Sequence, residues 1–220
     1  MTGQTMAEEL AQLVWHHFEL TPGLVEQPRR PTCRHRCQLD LGAALVKMAA
    51  SDVIEVLGLL DARGIAVWLN GGWGVDALLA HQTREHDDLD ITIPATDHQA
   101  YVDLMDALGF TTFRVDNDFN WVLMDHHGRL VDVHLVDFSE TRQSDQGATI
   151  YGPAGLPFEV GSLEGRGEIS GREVRCETAD FQVRGHTNYP PDEHDYLDVL
   201  ALCRAFSIEM PELFTSMGFE

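Results

Sequence analysis

The sequence lacks any long apolar run. No stretch of its 220 residues approaches the roughly 20 consecutive apolar positions of a membrane-spanning helix. Residues 1–17, MTGQTMAEELAQLVWHH, contain neither a basic start nor a long apolar segment, so no export signal is recognised. These absences predict a cytoplasmic protein with no membrane partner, and a hydrophobic content of 44% is ordinary for a globular chain.

Basic residues are also scarce. The chain has 15 Lys and Arg residues against 36 Asp and Glu residues, which gives a formal net charge of −21. Such a field repels polyanions, so the sequence argues against DNA or RNA as a partner and favours a cationic small molecule or a metal ion. Solubility alone would account for the same charge equally well.

Residues 1–47 differ from the rest of the chain. A short amphipathic piece is followed by TPGLVEQPRRPTCRHRC, whose Pro and Arg content is typical of irregular structure. Its two cysteines have no second ligand pair elsewhere, which argues against a zinc site. Met48 directly precedes a clean helical pattern. We therefore expect 1–47 to be a dispensable extension, or the result of a start site placed too early.

The remaining chain divides into two regions. Residues 48–137 alternate helical and strand patterns, whereas 138–220 are rich in loops and end in helices that would complete an acceptor pocket. Helices are predicted near 53–60, 74–80, 97–108, 179–185 and 193–206, and strands near 65–69, 89–93, 110–115, 121–125, 130–136, 158–160, 161–167 and 173–176. This order predicts an α/β (α+β) fold with a mixed sheet flanked by helices.

The most informative stretch is VWLNGGWGVDALLAHQTREHDDLDITI, residues 67–93. An apolar strand turns at Gly71 and Gly72 into a helical pattern, and the glycines leave the backbone bare for a phosphate. Asp88 and Asp90 follow on a strand, where alternate side chains share one face. Because paired carboxylates repel each other, a hard cation such as Mg²⁺ is expected between them.

A third carboxylate lies in the strand LVDVHLV, residues 130–136. Asp132 has apolar neighbours there, and His134 lies on the same strand face. If this strand pairs beside 89–93, the three carboxylates converge, which would form a two-metal site with Asp132 as general base or further metal ligand. Alternating carboxylates also occur on solvent-exposed strand faces that bind no metal. The prediction of a metal site therefore depends on the combination of the glycine turn, the Asp88–Asp90 strand and Asp132.

Together these motifs resemble the nucleotidyltransferase superfamily. The runs Gly71–Asp76 and Arg84–Asp90 are similar to those of antibiotic nucleotidyltransferases of the lincosamide and aminoglycoside 2'' kinds, as are VDVH at 131–134 and, more loosely, VRC, HTNY and HDYLD in the tail. The resemblance covers roughly residues 50–205. It implies the minimal nucleotidyltransferase fold with added C-terminal helices.

The resemblance also implies a reaction. A nucleoside monophosphate would pass from an NTP, with ATP favoured, to a hydroxyl of a small and cationic acceptor such as an antibiotic, releasing pyrophosphate. Asp88, Asp90 and Asp132 would hold two Mg²⁺ ions, and Asp132 would take the acceptor proton. A homodimer is implied by analogy.

Further site residues follow from the same resemblance. Gly71, Gly72, Arg84 and His86 would bind the nucleotide, although Arg84 could instead form a surface ion pair with a neighbouring carboxylate. The remaining candidates are acceptor or nucleotide contacts, and for each of them packing or a structural hydrogen bond is the alternative: Trp73, His134, His186 and Tyr189.

Two other functions stay open at this point. A nucleotidyltransferase of the toxin–antitoxin type would act on a protein or a tRNA, although the acidic balance argues against tRNA. A non-catalytic nucleotide-binding module would retain the fold but lack one or more of the metal-binding carboxylates. Asp88, Asp90 and Asp132 are all present in this sequence, which argues against such a module.

Overall fold

The computed structural model describes residues 45–153 and 155–217, all of which belong to one compact unit. None of the helices in these two ranges combines the length and apolar composition that crossing a bilayer requires. Most of the predicted extension, 1–47, lies outside the described residues. Its last positions contact the fold, because the Val46 amide donates to the Gly128 carbonyl at 3.2 Å and Lys47 pairs with Asp87 at 2.7 Å.

The described residues form six α-helices and nine strands. The helices are α1 (Ala50–Ala62), α2 (Gly71–Leu79), α3 (His98–Ala107), α4 (Ala179–Gly185), α5 (Glu193–Phe206) and α6 (Glu212–Thr215). The strands are β1 (Trp68–Leu69), β2 (Asp88–Pro94), β3 (Thr111–Asn117), β4 (Asn120–Met124), β5 (Leu130–Val136), β6 (Thr141–Gln143), β7 (Thr149–Tyr151), β8 (Gly165–Ile169) and β9 (Arg172–Cys176).

Seven of the strands form one mixed sheet in the order β3-β4-β5-β2-β1-β9-β8. The pairs β2–β5 and β1–β9 are parallel, and the other neighbours are antiparallel. The short hairpin β6–β7 stands apart. This confirms the predicted α/β class with a mixed sheet. Because β8 and β9 lie beyond residue 138, the sheet also crosses the expected boundary between 48–137 and 138–220.

One face of the sheet carries the core. Leu89, Ile91 and Ile93 of β2 are fully buried and belong to a cluster that includes apolar side chains of α1 and α3. Each such side chain contributes about 1.5–3 kcal/mol when it leaves water. Because side chains alternate along a strand, Asp88 and Asp90 point to the opposite face and are half-buried there.

Several element boundaries differ from those predicted. Strand β1 is shorter than 65–69, because it pairs with β2 only at Trp68 and Leu69. Helix α2 begins at Gly71 rather than near 74, since the Asn70 carbonyl already accepts the Gly74 amide at 3.0 Å. The predicted strand 158–160 makes a single isolated bridge to β7. Strands β6 and β7 and helix α6 were not predicted, since each has only three or four residues.

Candidate metal and nucleotide site

The site begins with two carboxylates on neighbouring parallel strands. In the β2–β5 ladder, Asp90 is the register partner of Asp132, and Thr92 is the partner of His134. Asp90 is half-buried, whereas Asp132 and His134 are 7% and 6% exposed. The strand pairing on which the predicted convergence depends is therefore confirmed.

Three of these side chains fit a divalent cation. Asp90, Asp132 and His134 each offer one ligand atom, and the three atoms lie within 4.8 Å of one another. Two carboxylate oxygens and an imidazole nitrogen form a donor set that accepts Mg²⁺ or Mn²⁺. Asp88 lies on the same strand face but outside this group. The geometry thus places Asp88 next to the ligand group rather than within it.

Two side-chain donors orient Asp132, and His134 lies beside it. Asn120 donates to its Oδ1 at 2.5 Å, Arg114 donates to its Oδ2 at 3.5 Å, and Nε2 of His134 lies 3.3 Å from Oδ1. These contacts fix the orientation of the carboxylate. Asp116, Asp132 and Asp88 raise the pKa of Arg114 despite its burial, so a firmly charged guanidinium lies at the rim of the acidic cluster.

His134 is itself held by Asn70. The amide Nδ2 of Asn70 lies 2.6 Å from Nδ1 of His134. Nε2 of His134 faces Asp132 and offers a lone pair to a cation only in the tautomer that has its proton on Nδ1. In that tautomer Nδ1 donates to the side-chain oxygen of Asn70, which requires the flipped orientation of the amide. Sequence reasoning missed Asn70, Asn120 and Arg114, because each acts through a contact between strands. The polar residue Asn70 at the end of an apolar strand was the signal that could have revealed one of them.

The glycine turn packs directly on Asp90. Gly71 has φ +56°, and a Cβ at this position would overlap Oδ2 of Asp90 and lie 2.7 Å from its Cγ. Helix α2 starts here, and the first turn of a helix presents amide groups without intrahelical partners. Within the described chain, no side chain caps this turn. The start of α2 therefore presents amide donors and bare backbone, which are suited to an anion, next to Asp90 of the candidate ligand group.

Two buried side chains support the turn. A Cβ on Gly72 would overlap the ring of His86, whose Nε2 lies 2.5 Å from Oδ2 of Asp76. Trp73 is 1% exposed and packs on His86 with ring centroids 4.6 Å apart. This burial favours a supporting role for His86 and Trp73 over direct contact with a substrate.

Asp76 has a different role from the one its position in the sequence indicates. From the sequence, Asp76 is most simply interpreted as an acidic residue in the first turn of α2 that interacts with the helix dipole. In the structure Asp76 lies beyond the first turn and is fully buried. Its Oδ1 accepts from the amide and the hydroxyl of Thr83 at 2.9 and 2.6 Å. Asp76 therefore joins α2 to the loop that leads into β2.

Arg84 lies beside the same turn. Its Nη2 is 2.8 Å from the position of a Cβ on Gly72 and donates to Asp198 of α5 at 2.7 Å. Its partner is therefore neither of the neighbouring carboxylates Glu85 and Asp87. Burial disfavours the charge on Arg84, but the hydrogen bonds and charge of Asp198 outweigh it and raise the pKa.

His186 and Tyr189 gather around a second carboxylate of α5. The Tyr189 hydroxyl donates to Oδ1 of Asp195 at 2.8 Å, and Nε2 of His186 lies 3.7 Å from the same oxygen. Oδ2 of Asp195 accepts from the Asp192 amide at the start of the helix. The structure thus brings these two predicted residues together at the N-terminus of α5, and neither belongs to the candidate metal-ligand group.

Comparison with known proteins places this geometry in a family. A model of the aminoglycoside-2''-adenylyltransferase family matches residues 52–202. A lincosamide resistance protein of Staphylococcus haemolyticus is 24% identical over 154 residues, which cover 67% of this chain and 90% of that protein. A 2''-aminoglycoside nucleotidyltransferase of Klebsiella pneumoniae is 30% identical over 122 residues, covering 56% and 63%.

Solved structures share the fold. The crystal structure of the lincosamide antibiotic adenylyltransferase LnuA, lincomycin-bound, matches with a TM-score of 0.61 at 23% identity, covering 74% of this chain and 100% of that chain. The solution structure of ANT(2'')-Ia matches with a TM-score of 0.58 at 24% identity, covering 75% and 88%. The family match spans more than half of the sequence and includes every residue of the metal-ligand group. The chain therefore belongs to the aminoglycoside-2''-adenylyltransferase family of nucleotidyltransferases.

Proposed function

We propose that this chain transfers a nucleoside monophosphate from an NTP, with ATP favoured, to a hydroxyl of a small cationic antibiotic, releasing pyrophosphate. The proposal depends on one observation: Asp90 pairs with Asp132 across two strands, and the ligand atoms of Asp90, Asp132 and His134 lie within 4.8 Å of one another. The uncapped start of α2 packs on Asp90. An intact carboxylate set also argues against a non-catalytic module.

In this proposal the acidic residues hold divalent cations. Asp90 and Asp132 would hold Mg²⁺, with Asp88 beside them for a second ion. Bound there, Mg²⁺ would polarise the phosphate and offset its negative charge. Backbone amides at Gly71 and Gly72 would bind the triphosphate, because the start of a helix favours anions.

The transfer itself needs a base and a leaving group. The acceptor hydroxyl oxygen forms a bond to the α-phosphorus, and the bond from this phosphorus to the bridging oxygen of the β-phosphate breaks, which releases pyrophosphate. The hydroxyl proton passes to Asp132, the carboxylate that Asn120 holds in place. His134 would also line the acceptor side of the site.

The acceptor class rests on charge and on the relatives. Those relatives are named for lincosamides and aminoglycosides, and the net charge of −21 attracts a cation. We propose that the region 138–220, including His186 and Tyr189, completes the acceptor pocket.

The test is a transfer assay. The protein is incubated with ATP, GTP, CTP or UTP, Mg²⁺ and a panel of lincosamides and aminoglycosides, and acceptor mass and released pyrophosphate are measured. We expect a gain of one nucleoside monophosphate on one panel member and none with Asp90→Ala. Metal-dependent nucleotide binding without transfer to any panel member would contradict the proposed acceptor class.

A further inference from the structure

Arg84 is held by a residue from near the end of the chain. Its Nε lies 3.3 Å from both carboxylate oxygens of Asp198, and its Nη2 donates to Oδ2 at 2.7 Å. The Asp198 side chain is 2% exposed, whereas that of Arg84 is 26% exposed. One edge of the guanidinium is therefore fixed against a buried anion, while part of the group stays open to solvent.

The fixed guanidinium lies at the glycine turn. Its Nη2 is 2.8 Å from the position that a Cβ on Gly72 would take, and Gly72 itself is half-buried. Each Nη nitrogen carries two hydrogens, so Nη2 keeps one donor beyond the bond to Asp198. This donor lies beside the start of α2, whose amides also favour anions.

We propose that Asp198 is a positioning residue for the nucleotide: it holds the Arg84 guanidinium beside Gly72, where the guanidinium binds the triphosphate. The inference rests on the proposed function. A free arginine side chain samples many rotamers, and ordering it costs affinity when the ligand arrives. The ion pair with Asp198 orders the Arg84 side chain before the nucleotide binds. Asp198 lies on α5, which is outside the motif at residues 67–93.

Asp198 has two opposite electrostatic effects on the site. It fixes Arg84, which strengthens phosphate binding, and it neutralises the Arg84 charge, which weakens it. Asp76 and Asp192 add negative charge near the same guanidinium. Because Asp198 is buried and binds both Nε and Nη2 of Arg84, positioning dominates. The two effects differ in sign, so nucleotide affinity separates them.

The experiment uses the full chain with Asp198→Asn. Binding of α,β-methylene-ATP with Mg²⁺ is measured by calorimetry, and kcat and KM are measured in the transfer assay. We expect roughly tenfold weaker nucleotide binding, as for the loss of one charge-assisted hydrogen bond, and a matching rise in the nucleotide KM. We expect little change in kcat or in the acceptor KM. The control is Glu193→Gln, an exposed charge on the same helix, which should bind nucleotide normally.

Two further variants keep the test decisive if Asp198→Asn does not fold. Asp198→Glu retains the charge but displaces it, so nucleotide binding should weaken less than with Asn. In an Arg84→Gln background, Asp198→Asn should add no further loss. Unchanged or tighter nucleotide binding in the folded variants would overturn the positioning role alone. Failure of the unaltered protein to bind nucleotide would overturn the proposed function as well.

Discussion

Gly71 and Asp90 are packed so closely that the site depends on the absence of a side chain at position 71. A Cβ there would overlap Oδ2 of Asp90 and lie 2.7 Å from its Cγ. The backbone at Gly71 also has φ +56°, a region that side-chain-bearing residues rarely adopt. The start of α2 can therefore approach Asp90 only because residue 71 is glycine.

Gly71→Ala should damage activity more than stability. The added methyl group displaces the Asp90 carboxylate, and a displacement of about 1 Å can cost roughly 100-fold in rate. Gly64→Ala is the matched control, because Gly64 also has positive φ but nothing lies within 4 Å of its Cβ position. Thermal unfolding and kcat/KM are measured for both variants. Equal losses of activity in the two would contradict the steric explanation.

Asp90→Asn should weaken metal binding. Replacing one anionic ligand by an amide leaves Asp132 and His134 as the remaining members of the ligand group, so we expect the affinity for Mn²⁺ to fall by roughly 100-fold or more. Electron paramagnetic resonance of free Mn²⁺ measures this without any assay of transfer. Asp103→Asn, an exposed carboxylate on α3, is the control. Unchanged Mn²⁺ affinity in the Asp90 variant would place the metal elsewhere.

Asp132→Asn should lower kcat strongly. The amide cannot take the acceptor proton, and loss of a general base costs about 100- to 10,000-fold. Asn120→Ala removes the donor at 2.5 Å from Asp132 and should lower kcat by a smaller factor, because the base remains but is less well oriented. Steady-state rates at saturating substrates measure both. An Asp132→Asn enzyme that retained most of its kcat would assign the base to another residue.

Local patterns predicted the two strands that carry the candidate metal ligands. Strand alternation placed Asp88 and Asp90 on one face, and the apolar neighbours of Asp132 indicated a buried strand whose carboxylate needed a partner. The register that joins Asp90 to Asp132 became available only with the structure, because each strand could pair in several ways. The sequence thus indicated the candidate carboxylates, and the pairing of the strands decided which of them lie within one candidate ligand group.

The supporting contacts were harder to predict. Arg84 and Asp198 are 114 positions apart, and no periodicity along the chain relates them. Asp76 looks like an ordinary acidic residue of an exposed helix until the fold buries it against His86. Such pairs arise from tertiary packing, so the residues that hold the site together were less visible than those that perform the proposed chemistry.

Two cysteines should be unreactive in the folded protein. Cys176 and Cys203 are buried free thiols, and burial raises the pKa of Cys176 to about 12 and raises that of Cys203. Because the thiolate is the reactive form, a variant with Cys33→Ser and Cys37→Ser should not react with a disulfide reagent at pH 8 until denaturant is added. Rapid labelling of the native variant would contradict this burial.

Asp125 should stabilise the fold in a pH-dependent way. Its carboxylate is 3% exposed and pairs with Arg129 at 2.7 Å, and Arg129 also reaches Asp52 of α1 at 2.9 Å. Burial alone would raise the pKa of Asp125, but the bonds from Arg129 and His127 outweigh it and lower the pKa below its ordinary 3.8. The paired carboxylate thus binds protons less readily in the folded state than in the unfolded state.

The sign of the pH effect follows from that lowered pKa. The stabilisation is complete above the unfolded pKa and is lost as the pH falls through the folded one. Asp125→Asn should therefore reduce the free energy of unfolding by about 2 kcal/mol at neutral pH, and the difference from the unaltered protein should shrink in strong acid. Urea unfolding of both proteins at several pH values measures this difference in the free energy of unfolding. Glu55→Gln, which removes an exposed partner of Arg129, should cost less than about 1 kcal/mol. A pH-independent gap for Asp125→Asn would show that the lost stability comes from packing rather than from the charged pair.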